Sequence, residues 1–253
     1  MPDGALSGQA FAFLLIFVRV GAAISVLPGL SAAFVSIRVQ LLLALAIAAL
    51  LVPTLADSLP PLPATVAALA LIIGAEALVG LFIGLIPRVL FAALHIAGTV
   101  TALSIALANA LVQDPVADQQ SSTVAGFFGI FGLVLVFVAD LHHLMLLAVV
   151  ESYALFPPGA PLLIGDFADA LTRALGEAML LGLQLSAPFI LVAFIYNIGL
   201  GLLGRLMPQL PVFFFGLPVQ ISMQLWAMML ALSGILMVFL GRFGDAIAPF
   251  VGR

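Results

Sequence analysis

Lysine is absent from this 253-residue chain, cysteine is absent too, and charged residues of every kind make up only 7% of it. Without cysteine there is no disulfide, no thiolate metal site and no cysteine nucleophile. The basic groups are seven arginines, Arg19, Arg38, Arg88, Arg173, Arg205, Arg242 and Arg253, in a chain of net charge −4. So few cations leave no footprint for nucleic acid. There is no Gly-x-Ser-x-Gly elbow, no Walker loop and no His-Glu-x-x-His helix. These absences imply no cofactor and point to a channel, carrier or membrane scaffold rather than an enzyme.

What is present is apolar. Hydrophobic residues make up 65% of the chain, and its mean hydropathy is +1.37. Soluble domains are about 45–50% apolar. Polar groups this scarce cannot cover a globular surface, so lipid or other apolar subunits must cover it, as in an all-α polytopic membrane protein. Hydrophobic runs bounded by Pro, Gly and charge predict about seven long helices, at 8–27, 39–56, 64–86, 88–111, 122–151, 174–204 and 212–241. Each approaches or exceeds the roughly 20 residues that span a hydrocarbon core. Breaks are expected at 27–38, at 57–63, at Pro87-Arg88, at loop 112–123, at 156–169 and at 205–211, since proline removes a backbone donor and restricts its predecessor. The N-terminus lacks a basic n-region and carries Asp3, so it reads as an uncleaved first helix. With that end outside, Arg38, Arg88, Arg173, Arg242 and Arg253 fall on the cytoplasmic side and Arg205 outside, in line with the positive-inside tendency.

Polar residues within such helices are costly and therefore informative. Glu76, Gly80, Gly84 and Arg88 are spaced by four and share one helix face. That pattern reads as a small-xxx-small packing seam with polar ends, or else makes Glu76 a proton or ion relay. Asp140, His142 and His143 fall inside the helix expected over 122–151. Adjacent histidines there point about 100° apart, which disfavours a shared metal, whereas Asp140 and His143 can hydrogen-bond across one face. Gly126, Gly129 and Gly132 suggest close packing in the same helix. Glu177, four residues after Arg173, reads as a helix-end salt bridge. The longest polar run, Gln113 to Thr123, reads as an external loop opened by the turn-forming pair Asp114-Pro115.

The stretch YNIGLGLLGRLMPQLPVFFFGLPVQI, residues 196–221, resembles the FliR family of flagellar export proteins and their injectisome relatives, the SctT-like proteins. The elements that carry the likeness are Asn197, Gly201, Arg205, Pro208-Gln209-Leu210, Phe213 and Gly216-Leu217-Pro218. Asp114-Pro115 and Asp140-Leu141-His142-His143 agree in order and spacing, the latter resembling the family's Asn-Gly-His-His with two substitutions. The chain departs from the family's usual residues at Pro211, Gln220 and Asp140.

The resemblance implies a pore subunit of the flagellar type III export gate, joined with FliP and FliQ in a right-handed helical assembly of hairpins. FlhB- and FlhA-like components, unfolded exported proteins and membrane lipid are the further partners implied. Residues 1–173 would be the FliP-like portion and 174–253 the FliQ-like hairpin, in the inner membrane of the flagellar basal body and partly raised towards the periplasm. The polar loop then becomes a closed-pore plug built from Gln113, Asp114, Pro115, Asp118, Gln119, Gln120, Ser121 and Ser122. Structural or assembly roles fall to Glu76, Gly80, Gly84, Arg88, His142, His143, Asn197, Arg205, Pro208, Gln209, Phe213, Gly216 and Pro218, with no catalytic or metal-binding residue. The alternative is a small secondary transporter that uses Glu76, Asp140 and His143 as coupling groups. It calls for inverted repeats, which the sequence does not display. A membrane enzyme would need convergent polar residues near an interface, and none are evident.

Overall fold

In a lipid-like environment, ending a helix strands up to four N–H and four C=O groups, whereas an internal proline strands one carbonyl. That arithmetic shapes the chain. The computed structural model describes residues 3–31, 34–55, 58–104, 123–162, 164–209 and 212–252, with side chains described from Gly8 onward and, in the last segment, from Gly216 onward. The regular elements there are helical: α1 Asp3–Val26, α2 Ile37–Leu55, α3 Val66–Ser104, α4 Thr123–Val138, α5 Leu141–Leu155, α6 Ile164–Leu206 and α7 Val212–Ile247, with a 3-10 turn at Ala248–Phe250. Five of these helices are long and apolar enough to cross a membrane, or six spans if α4 and α5 count as one broken span.

Three expected boundaries are corrected. The break at Pro87-Arg88 does not occur, because α3 runs through Pro87 as α2, α6 and α7 run through Pro53, Pro188 and Pro218. Without a reversal at Pro87, counting arginines on alternate sides loses its basis. The helix expected at 174–204 begins instead at Ile164. Asp166, Asp169 and Arg173 depress the hydropathy there, yet Asp166 in the first turn favours the positive end of the helix dipole. Conversely, the helix expected at 122–151 breaks at Ala139 and Asp140, where Asp140 adopts the left-handed conformation (φ 57°, ψ 15°). Aspartate tolerates that region better than most residues do.

The chain groups into two compact units. The first comprises Met1–Val89, Phe137–Ala174 and Phe243–Arg253. Here α1 packs on α2, with Gly21 facing Ala44, and on the first half of α3. The Gln40 amide donates to the Leu30 carbonyl at 2.7 Å and closes the connection between α1 and α2. Phe82 stacks on Phe167 (centroids 4.2 Å apart) and meets Phe156 and Phe250 edge-on, gathering α3, α6 and the C-terminal turn around one aromatic cluster.

The second unit comprises Leu90–Val136 and Leu175–Arg242. In it α6 and α7 form an antiparallel hairpin. Tyr196 Oη donates to the Gly216 carbonyl at 2.6 Å, and Gln224 Nε2 donates to the Phe189 carbonyl at 3.1 Å. Glycines bring backbones together: a Cβ on Gly98 would strike Ala125, and one on Gly182 would lie 2.8 Å from Ile96 Cβ. Of the three α4 glycines expected to pack closely, only Gly132 does, against Leu94. Gly126 and Gly129 have nothing within 4 Å of an added Cβ.

Candidate functional site: a buried polar clasp and two polar outposts

An arginine in the middle of the first hydrophobic helix must find partners, because the hydrocarbon around it offers none. Arg19 finds them on α3 and on α5 with its C-terminal cap, all within the first unit. Its Nε donates to Glu76 Oε2 on α3 at 2.6 Å, and Nη1 donates to the Ser152 carbonyl and hydroxyl at 3.1 and 3.3 Å. Nη2 donates to the Phe156 carbonyl at 3.0 Å, and the guanidinium lies 4.1 Å above the Tyr153 ring. Arg19 and Glu76 are each 1% exposed. The planar five-donor fork suits this task as a lysine ammonium would not.

Geometry explains the four-residue spacing on α3. Gly80 and Gly84 sit one and two turns beyond Glu76, where added Cβ atoms would collide with the Arg19 carbonyl and lie 2.7 Å from the Ala23 carbonyl. Backbones that approach so closely let the short Glu76 side chain reach Arg19. At the far end of the seam Arg88 is exposed, its Nη1 3.4 Å from the Val26 carbonyl. The seam joins Glu76, Gly80, Gly84 and Arg88 to α1, and a carboxylate sealed against an arginine is placed for holding helices rather than for passing protons to water.

The first outpost lies at the break before α5. Asp140 Oδ1 is 3.5 Å from His143 Nδ1, the His142 and His143 rings are 4.0 Å apart, and His142 stacks on Phe137. His142 and His143 remain consecutive residues in the first turn of α5, and the left-handed turn sets Asp140 ahead of that helix instead of within it. One donor atom from each of the three side chains lies within 4.8 Å of the others.

The second outpost is on the hairpin of the second unit. Gln220 is buried and donates from Nε2 to the Ser104 carbonyl at 3.0 Å. Asn197 is exposed and lines the same cleft as Gln220, with Ser104 between α3 and the hairpin. Gly216 is buried against Leu200 and Tyr196, Pro218 is exposed, and Arg205, Pro208 and Gln209 are exposed at the hairpin end. Phe213 stands in the first turn of α7, its side chain outside the described part. Gln113, Asp114, Pro115, Asp118, Gln119, Gln120, Ser121 and Ser122, expected to form a plug, all lie outside the described residues.

Sequence reasoning identified Glu76 but missed its partner. Arg19 was visible as a lone cation within the run 8–27, and the cost of such a charge was the available signal. Ser152 and Tyr153 carried none, since hydroxyl residues are common in membrane helices.

A family model described as Bacterial export proteins, family 1, matches residues 10–246. A protein of Caulobacter vibrioides named flagellar biosynthetic protein FliR is 34% identical over 242 residues, covering 96% of each chain. The Escherichia coli protein of the same name is 31% identical over 81% of this chain and 78% of its own. Yop proteins translocation protein T of Yersinia pestis is 30% identical over 60% of this chain and 59% of its own.

Proposed function

This chain belongs to the bacterial export proteins of family 1, and from that premise we propose that it is a core pore subunit of a flagellar type III protein export gate. At the coarser level it is a membrane component of a flagellar or type III export apparatus, held in the bacterial inner membrane within a complex of export proteins. The family is a structural part of that apparatus and is not known for catalysis. The likeness to the Caulobacter FliR along nearly the whole chain, against partial coverage by the Yersinia protein, supports the flagellar system.

The observation that carries the pore reading is helix length. Helices α3, α6 and α7 contain 39, 43 and 36 residues. At about 1.5 Å per residue their paths run roughly 55–65 Å. A hydrocarbon core is only about 30 Å thick. Large apolar side chains nevertheless remain exposed along them, from Leu175 to Leu206 on α6 and from Leu217 to Val238 on α7. Lipid can cover about half of such a surface, and the remainder calls for other apolar helices. FliP-like and FliQ-like subunits supply them in the proposed assembly, which rises towards the periplasm. Within it residues 1–173 act as the FliP-like portion and 174–253 as the FliQ-like hairpin.

In this reading Glu76, Gly80, Gly84 and Arg88 keep the subunit's own helices together. Asn197, Arg205, Pro208, Gln209, Phe213, Gly216 and Pro218 shape the hairpin that meets neighbouring subunits, and His142 and His143 brace the break before α5. FlhA- and FlhB-like components complete the gate, and unfolded flagellar proteins pass through it. Loop 113–123 is the closed-state plug, its amide and hydroxyl side chains facing water without fixing a strong charge. Deleting 113–120 in the co-expressed complex tests the plug by ion flux in liposomes. Increased leakage is expected, and unchanged conductance in a correctly assembled complex would overturn it.

A further inference from the structure

We propose that Asp140, His142 and His143 form a binding site for a divalent transition-metal ion of the zinc class. The break between α4 and α5 creates it. One donor atom from each side chain lies within 4.8 Å of the other two, and all three residues belong to the first unit. Asp140 is the only non-glycine residue with positive φ among the described residues. Strain of this kind persists where the surroundings over-determine it, and it concentrates at functional sites. Here it sets the Asp140 carboxylate beside the first turn of α5, 3.5 Å from His143 Nδ1.

A second observation points to a ligand rather than to a self-contained polar pair. His142 Nδ1 is buried and has no hydrogen-bond partner among the described residues, while its ring stacks on Phe137 and lies 4.0 Å from the His143 ring. A fixed imidazole left with an unmatched nitrogen is a poor structural filler and a good metal ligand. The remaining donors are free to move, since Asp140 and His143 are 76% and 70% exposed at their side chains. Metal–nitrogen and metal–oxygen bonds of about 2.0–2.2 Å place tetrahedral neighbours about 3.3 Å apart. Closing from 4.8 Å therefore asks each pair of donors to approach by at most about 1.5 Å, and two of the three side chains are exposed and free to turn.

Two imidazoles and one carboxylate suit zinc, cobalt, nickel or copper rather than calcium or magnesium. Three protein ligands leave an open position for water or for a group from a neighbouring subunit. The carboxylate offsets part of the ion's charge, and the ion ties Asp140, ahead of the helix, to the first turn of α5. The site stands independently of the pore reading.

The test uses the full chain, purified in detergent with a tag that contains no histidine, and Co²⁺ as the spectroscopic probe. The expected result is saturable binding of one ion per chain with visible d–d absorption. Asp140→Asn and His143→Ala should each weaken it at least tenfold, whereas His95→Ala, which alters the third histidine of the chain, should not. Added Zn²⁺ should raise the unfolding temperature of the unaltered chain and not that of Asp140→Asn, which separates lost binding from lost folding. Absence of saturable Co²⁺ binding, or equal affinity in Asp140→Asn and His143→Ala, would overturn the proposal.

Discussion

Replacing Arg19 with leucine removes four hydrogen bonds and a cation–π contact at one stroke. What remains is worse than what is lost, for the Glu76 carboxyl group stays buried with no partner to offset its desolvation. Breaking a buried pair from one side costs about 3–5 kcal/mol, whereas replacing both members with apolar residues is often neutral. For a chain of this size about 1 kcal/mol shifts the midpoint of unfolding by roughly 2–4 °C, so Arg19→Leu should lower it by about 10 °C. Glu76→Leu should do comparable damage by stranding the guanidinium. The double variant Arg19→Leu/Glu76→Leu should recover to within about 2 kcal/mol of the unaltered protein, less than either single loss, giving a coupling energy of opposite sign to the single effects. Thermal unfolding in detergent, followed by circular dichroism, measures all four corners of the cycle. Additive losses, or a single-variant loss below about 1 kcal/mol, would refute the claim that this pair is a mutually dependent clasp.

Glycine substitutions should separate seam from surface. Gly80→Ala should destabilise by about 1–3 kcal/mol, because its Cβ meets the α1 backbone, while Gly126→Ala should be neutral or stabilise by a few tenths; unfolding midpoints give the comparison. Two buried glutamines on one helix should also differ in what their loss costs. Gln224→Leu removes an Oε1 that lacks a partner together with the Nε2 bond to the Phe189 carbonyl, two effects that offset, and should change stability by less than about 1 kcal/mol, whereas Gln220→Leu only strips the cap from the Ser104 carbonyl and should cost about 1–2 kcal/mol.

The all-helical membrane class was legible from composition, and the seam on α3 from the spacing of Glu76, Gly80 and Gly84. Boundaries were less legible. Pro87 looked like an end because proline ends helices in water, where a stranded carbonyl and a new loop are both solvated. In apolar surroundings the loop is the costlier choice, and α3 continues. At Asp140 the error ran the other way, since a hydrophobic run carries no mark of a single left-handed residue. The clasp was half legible: Glu76 stood out, but its pairing with Arg19 spans 57 residues, and no local pattern records it. The hydrogen bonds of Gln220 and Gln224 depend on tertiary approach and left no trace beyond residue type.

In the proposed gate, other export subunits cover the long apolar helices α6 and α7. Native mass spectrometry of the tagged chain, co-expressed with the FliP- and FliQ-like proteins of its own genome and purified in mild detergent, tests it most directly. The expected result is a discrete complex containing this chain together with several copies of both partners. Recovery of this chain alone, while the FliP- and FliQ-like proteins assemble with each other, would contradict it.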